Sequence, residues 1–269
     1  MMTTAHFRKT IRDYYRLHGR KLAWRYTRKP YRILISEIML QQTQVSRVEG
    51  YYAEFLKQFP NFGLLAKART GEVLRAWQGL GYNRRALALQ KIAKIVIEQY
   101  GGKLPRDRKS LESLPGVGSY TAGAMRTFAF GESEIFIETN IRRVFIHFFF
   151  AKQKSVSDHE INRMIERTID KKDPKSWYYA LMDYGAMLGV TVKKNPNRRS
   201  ARYAKQSKFS GSDRELRGKI LRLLLEKKHI SRQNLTDFFP APKRKIEDIV
   251  AALGREGFIK ASKNILTLA

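Results

Sequence analysis

Apolar residues recur at helical spacing along most of the chain. Phe7, Ile11, Tyr14 and Tyr15 line one side of a helix predicted over residues 6–17. Pro30 precedes a helix predicted over 33–44, with an apolar face of Ile33, Leu34, Ile38 and Leu40. The next runs over 48–59 and stops at Pro60. Thr70 reads as the N-cap of a helix over 71–78, which Gly79 and Gly81 break. A longer one over 84–100 ends at Gly101 and Gly102. Two short helices over 110–114 and 120–130 flank a tight turn, and another covers 139–149. Ser157 caps 158–169, and Ser176 caps a last apolar helix through Leu188. No run alternates with the period of a sheet.

The pattern changes at residue 193. Residues 193–212 are rich in Lys, Arg, Asn and Ser and poor in apolar side chains, which reads as a basic linker. Three short helices follow over 213–228, 231–238 and 243–256, then two strands over 257–259 and 265–268. That order resembles a winged helix, and Lys243 and Arg244, with Lys245, open its third helix where a phosphate would be met. The predicted division is a helical catalytic domain at 1–192, the linker at 193–212 and a winged-helix-like DNA-binding domain at 213–269.

Charge narrows the partner. The 269 residues carry 53 Lys and Arg against 24 Asp and Glu, a net +29, which implies a polyanion. No apolar run approaches the length of a membrane span and no signal-peptide pattern opens the chain, so nucleic acid is preferred over a membrane. There is no cysteine, and the five histidines lack ligand spacing, so neither a metal site nor a cofactor is expected. A cytoplasmic, nucleoid-associated monomer is the expected setting.

Chemistry concentrates in two places. Leu114-Pro115-Gly116-Val117-Gly118 is a turn whose glycines let backbone N–H groups approach a phosphate, with the next helix predicted from Tyr120. About twenty residues on, Glu138 sits at a predicted helix start with Asn140, Arg142 and Arg143 behind it. A phosphate grip followed by a carboxylate suggests an enzyme acting on DNA.

These motifs resemble the helix-hairpin-helix DNA glycosylases, and among them the MutY-type adenine glycosylases. The likeness runs over residues 20–190, through Leu22-Ala23-Trp24-Arg25, Pro30-Tyr31-Arg32, Ser36 to Val45, Gly79-Leu80-Gly81-Tyr82, Leu114 to Ala122, and Met182 to Met187. It implies an all-α, two-lobed fold with the active-site acids between the lobes, and the winged-helix-like α+β tail added. By resemblance, Glu37 protonates the departing adenine at N7, which lowers the barrier to losing an anionic base. Gln41 and Gln42 lie in or beside duplex DNA, with Gln42 filling the gap left by an extruded base. Tyr82 stacks beside the opposing base. Leu114, Gly116, Val117, Gly118 and Ser119 form the DNA-binding hairpin, and Asn140, Arg142 and Arg143 hold the helix start and the DNA backbone.

Position 120, where some adenine glycosylases also have tyrosine, and three departures qualify the resemblance. Bifunctional relatives have lysine where this chain has Tyr120, so an imine cannot form there and a monofunctional enzyme is expected. Glu138 stands where the family has aspartate; it would stabilise the cationic sugar, but it is one methylene longer. The family's four-cysteine iron–sulfur loop and its usual C-terminal domain are replaced by basic residues and the winged-helix-like tail. The expected activity is excision of adenine opposite 8-oxoguanine or guanine in double-stranded DNA. Excision of another lesion, such as an alkylated base, is the alternative within the class. A non-catalytic DNA-binding protein is the alternative outside it, and retention of both carboxylates argues against that.

Overall fold

The computed structural model describes residues 2–204 and 208–269. In chain order the helices are α1 (Thr4–His18), α2 (Pro30–Leu40), α3 (Val45–Gln58), α4 (Phe62–Lys67), α5 (Thr70–Trp77), α6 (Arg84–Tyr100), α7 (Arg108–Glu112), α8 (Ser119–Phe130), α9 (Thr139–Phe149), α10 (Asp158–Thr168) and α11 (Pro174–Thr191). The tail contributes α12 (Asp213–Lys227), β1 (His229–Ser231), α13 (Arg232–Phe238), α14 (Lys243–Arg255), β2 (Ile259–Ser262) and β3 (Ile265–Leu268). Single 3-10 turns lie at Ala23–Tyr26 and Pro196–Arg199. Among the described residues, no helix is long and apolar enough to cross a membrane.

Two caps differ from expectation. Thr70 is the first residue of α5, whose N-cap is Arg69; the Arg69 N–H donates to Glu72 at 2.8 Å. Asp173, not Ser176, caps α11: it accepts from the Ser176 N–H, and Pro174 occupies the first turn. Helix α4 was not anticipated; it is six residues long and capped by Asn61.

The chain packs as two units. One comprises residues 2–37, 106–113 and 117–204; the other comprises 38–105, 114–116 and 208–269. In the first, α9 and α11 pack together, and α1 inserts Phe7 among Phe145, Phe148, Phe149 and Trp177. Gly185 makes the α9–α11 approach possible, since a Cβ there would lie 2.3 Å from the Asn140 carbonyl oxygen. In the second, buried Trp77 meets Phe55 edge-on. The tail belongs to this unit: its three strands form an antiparallel sheet in the order β1-β3-β2, backed by Ile220, Leu224, Ile246, Leu253 and Phe258.

The linker expectation needs correction at its start. Residues 195–199 pack against α9, Asn197 and Ser200 are buried, and Ser200 bridges to Val156. Residues 205–207 of the expected linker lie outside the described residues.

Candidate active site

Helix α2 carries the first acid. Periodicity predicted an amphipathic helix, yet every residue from Ile33 to Met39 is buried, Ser36 and Glu37 included. Loss of solvent pushes the Glu37 carboxyl up to about 7; the Tyr120 hydroxyl opposes this and the Glu138 charge adds to it. The Tyr120 hydroxyl donates to Glu37 Oε2 at 2.8 Å. Burial and the two carboxylates keep that phenol well above its ordinary range, so it stays a neutral donor. Its ring packs edge-on to Phe136, which stacks on Tyr178 at 3.9 Å. Sequence put a tyrosine at this place; its bond to the acid was not foreseen.

Glu138 is the N-cap of α9. Its Oε1 accepts from the Asn140 and Ile141 N–H groups, each at 2.7 Å, and its Oε2 faces Asn140 Nδ2 at 3.2 Å. The extra methylene is therefore taken up by folding the carboxylate back over its own helix end. Burial pushes this carboxyl up, opposed by the two backbone donors and by Arg143 and Arg142. Glu37, Tyr120 and Glu138 thus meet in the first unit, the phenol bonded to Glu37 and within the field of both carboxylates.

Arg142 and Arg143, expected to hold the helix start and the DNA backbone, are half-buried and bonded within the first unit. Arg142 forms a bidentate pair with Asp158, at 2.9 and 3.0 Å. Arg143 donates to Asn140 Oδ1 at 2.8 Å, to Asn195 Oδ1 at 3.3 Å and to the Gly185 carbonyl. Asn197 Nδ2 donates to the Thr139 carbonyl at 2.9 Å, and Arg199 donates to carbonyls at the other end of α9, those of Ile146, Phe150 and Ala151. Residues 195–199 therefore hold both ends of the helix that Glu138 caps. An iron–sulfur cluster does not fit here: the chain has no thiolate to hold one, and these polar contacts fix the segment instead.

The hairpin joins α7 to α8. Gly116 has φ +77°, a conformation other residues adopt only under strain, and with Gly118 and Ser119 it is exposed. Leu114 and Val117 are buried, so these two positions offer backbone groups rather than side chains. Gly118, the N-cap of α8, provides no side-chain cap.

Gln41, Gln42 and Tyr82 come together in the second unit around a residue that the sequence did not single out. Gln41 Nε2 donates to the Gly116 carbonyl at 3.1 Å. Exposed Gln42 has φ +54° and Tyr82 has φ +48°, both left-handed. Such strain persists only where neighbours over-determine it. Buried Arg85 does so. It donates to the carbonyls of Ile38, Met39, Gln41, Leu80 and Gly81 and to the Thr43 hydroxyl, flanking both strained residues. Burial lowers its guanidinium to about 10, so it remains charged at neutral pH.

A further buried pair links two of the motifs. Asp183 accepts from both Arg25 terminal nitrogens at 2.7 Å and from Arg20 Nε at 2.6 Å. Burial pushes its carboxyl up, but the arginines outweigh this and hold it below the ordinary range. In the tail, Lys243 and Arg244 are exposed at the start of α14, with Lys243 3.9 Å from Asp237.

Residues 35–171, which carry Glu37, the hairpin, Tyr120 and Glu138, match the model of the HhH-GPD superfamily base excision DNA repair proteins. The chain belongs to this superfamily. It is 38% identical over 200 residues to an adenine DNA glycosylase of Buchnera aphidicola subsp. Baizongia pistaciae, covering 72% of this chain and 56% of that protein. With an adenine DNA glycosylase of Mycolicibacterium smegmatis it shares 34% over 227 residues, covering 77% of this chain and 76% of that one. The chain thus spans little more than half of the first of these HhH-GPD relatives. Among solved structures, a thermostable thymine-DNA glycosylase superposes with a TM-score of 0.64 at 29% identity, over 71% of this chain and 90% of that one.

Proposed function

We propose that this protein is a monofunctional DNA glycosylase that removes adenine mispaired with 8-oxoguanine or guanine from double-stranded DNA and leaves an abasic site. The observation that carries this reading is the buried Glu37, raised to about 7, bonded to Tyr120 and electrostatically coupled to Glu138. Tyr120 occupies Oε2 of Glu37 and leaves Oε1 to carry a proton. As the bond from the sugar C1′ to N9 breaks, its electron pair stays with the base, and Glu37 delivers its proton to N7. The ionised Glu138 faces the cationic sugar and takes the proton of the water that attacks C1′. Tyr120 has no amine to form an imine, so the strand remains intact. The hairpin and the uncapped start of α8 receive a phosphate, Gln42 fills the space of the extruded base, and Tyr82 stacks beside its partner.

Single-turnover excision over a panel of duplexes tests this: adenine opposite 8-oxoguanine, guanine or cytosine, thymine opposite guanine, and an alkylated base. Adenine release is expected opposite the first two, with no covalent adduct on borohydride trapping. Efficient trapping would reveal an amine nucleophile and overturn the monofunctional reading. Thymine opposite guanine is the second reading, favoured by the likeness to the thymine-DNA glycosylase.

The pH profile checks the acid. Only protonated Glu37 can donate, so adenine excision is expected to fall about tenfold per unit as pH rises above about 7. Glu37→Gln should abolish that alkaline limb. It should also spare a cationic alkylated base, which leaves without a proton. An alkaline limb that survives the substitution assigns the acid to another group.

A further inference from the structure

The connector between α8 and α9, residues 131–138, has no regular secondary structure, yet it delivers Glu138 to the start of α9. Phe136 is the only buried residue in it. Its side chain is pressed into a notch on α8: a Cβ added at Gly123 would stand 3.0 Å from Phe136 Cβ. There the ring meets Tyr120 edge-on and stacks on Tyr178, whose hydroxyl donates to the Glu134 carbonyl at 2.6 Å. The ring that supports Tyr120 thus depends on where residues 134–136 lie.

That place is set by charge. Arg108 of α7 donates from Nη1 to Glu134 Oε2 at 2.8 Å and from Nη2 to Ser119 Oγ at 2.7 Å. Arg126 of α8 brings its Nε within 2.9 Å of the other Glu134 oxygen and pairs with Glu132 as well. Thr127 donates to the Glu132 carbonyl at 2.9 Å. Arg108 also pairs with Glu112 at 2.9 Å, but that bond closes only within α7. Ser119 lies at the exit of the hairpin, one residue before Tyr120. One guanidinium therefore holds the backbone entering Tyr120 and, through Glu134, the ring on which Tyr120 rests. Partly exposed ion pairs of this kind add little to stability one by one. What the planar fork supplies is geometry, because its N–H groups point in fixed directions at partners on separate elements.

We propose that Arg108 is a positioning residue for the acid of this site: by joining Ser119 to Glu134 it seats Phe136 against Tyr120 and so keeps the phenol on Glu37. The proposal rests on the reading above that Glu37 is the proton donor. The groups facing Glu37 are Tyr120 from α8 and Glu138 from the start of α9. Burial raises the Glu37 carboxyl, Tyr120 opposes this and Glu138 adds to it. A phenol that drifts from Oε2 while the site stays dry therefore lets the carboxyl rise and turn. The acid then stays protonated to higher pH but is aimed less often at the departing base.

The test uses the full chain and the variants Arg108→Met, Glu134→Gln, Glu112→Ala, Tyr120→Phe, and Arg108→Met with Tyr120→Phe, each checked for native circular dichroism and melting. The dependence of single-turnover adenine excision on enzyme concentration separates affinity from limiting rate. Arg108→Met is expected to lower the limiting rate about tenfold, to change affinity less than about twofold, and to move the alkaline limb to higher pH. Glu134→Gln cuts the same path with almost no change of shape and should act in the same direction. Glu112→Ala removes an ion pair of the same guanidinium that lies off the path, and should leave rate and limb unchanged. In the Tyr120→Phe background Arg108→Met should cost less than about twofold, since no hydroxyl remains to be placed. Equal losses from Arg108→Met and Glu112→Ala, additive effects of Arg108→Met and Tyr120→Phe, or a limb that does not move overturn the proposal. The titration of Glu37, followed by NMR of isotopically labelled glutamate and assigned with Glu37→Gln, gives a readout independent of activity. Arg108→Met should raise its midpoint, and an unmoved midpoint overturns the proposal. A wild-type protein that excises no base refutes the glycosylase reading instead, and the titration then decides by itself whether Arg108 holds Tyr120 on Glu37.

Discussion

Glu138→Gln is expected to bind its duplex with unchanged affinity and to excise about 10²–10³-fold more slowly. The structure separates the two tasks of this side chain. As a cap, it needs only an acceptor for the Asn140 and Ile141 N–H groups, and a glutamine oxygen supplies one. As a catalytic group, it needs charge, because neither a developing sugar cation nor a water proton is stabilised by a neutral amide. The amide nitrogen would face Asn140 Nδ2, at a cost of about one hydrogen bond, which leaves α9 folded. Glu138→Ala loses the cap as well and should be less stable by about 1 kcal/mol, so the pair of variants distinguishes lost charge from a disordered helix start. Glu138→Asp keeps the charge with a shorter reach and is expected to retain more activity than Glu138→Gln. A glutamine variant that excises at the wild-type rate would remove Glu138 from the chemistry.

The helices were legible because their apolar spacing is local, and most observed helices match a predicted run to within a few residues. What the sequence concealed was long-range. Ile33 to Met39 looks amphipathic only while Ser36 and Glu37 are counted as solvent-facing; both are buried, and that burial is what raises the acid. The motif identified Glu37, Tyr120 and Glu138, yet the 2.8 Å bond between residues 83 positions apart had no local signature. Arg85 is one basic residue among 53, and nothing in its neighbours announces that it braces two strained turns. The internal partners of Arg142 and Arg143 were equally hidden. In so basic a chain an arginine beside an acid reads as a phosphate ligand, while Asp158 and Asn195, which hold them, lie 16 and 52 residues away. The tail's order of elements was readable except for β1, whose three residues are too few for alternation to register. That the tail packs with residues 38–105 was not readable, since the pair between Arg84 and Glu256 spans 172 positions.

Asp183→Ala is expected to cost about 3–5 kcal/mol of stability, read as a fall in the urea midpoint, and therefore a large part of what holds a domain together. The Arg25 and Asp183 side chains are only 5% and 2% exposed, so their attraction is little screened by water. Removing the carboxylate leaves the Arg25 guanidinium buried against the Tyr179 ring, 4.5 Å from its centroid, without its counter-charge. Such a group cannot shed its proton at neutral pH, and it must either draw in water or pull the 3-10 turn at Ala23–Tyr26 away from α11. The more exposed Arg20 loses less, since solvent reaches it. Replacing both buried partners with apolar residues of similar volume, Arg25→Met with Asp183→Leu, should recover most of the loss, because then no charge is buried. Arg20 would keep its charge at the surface in that variant. Activity supplies the second readout. Asp183 lies half a turn before Gly185 on α11, the helix against which the Asn140 end of α9 is seated. A double variant that regains stability but excises slowly would show that the ion pair fixes the register of α11 beneath Glu138, whereas full recovery of both would confine it to folding. An Asp183→Ala protein as stable as the wild type would mean that water already solvates Arg25, contrary to its burial.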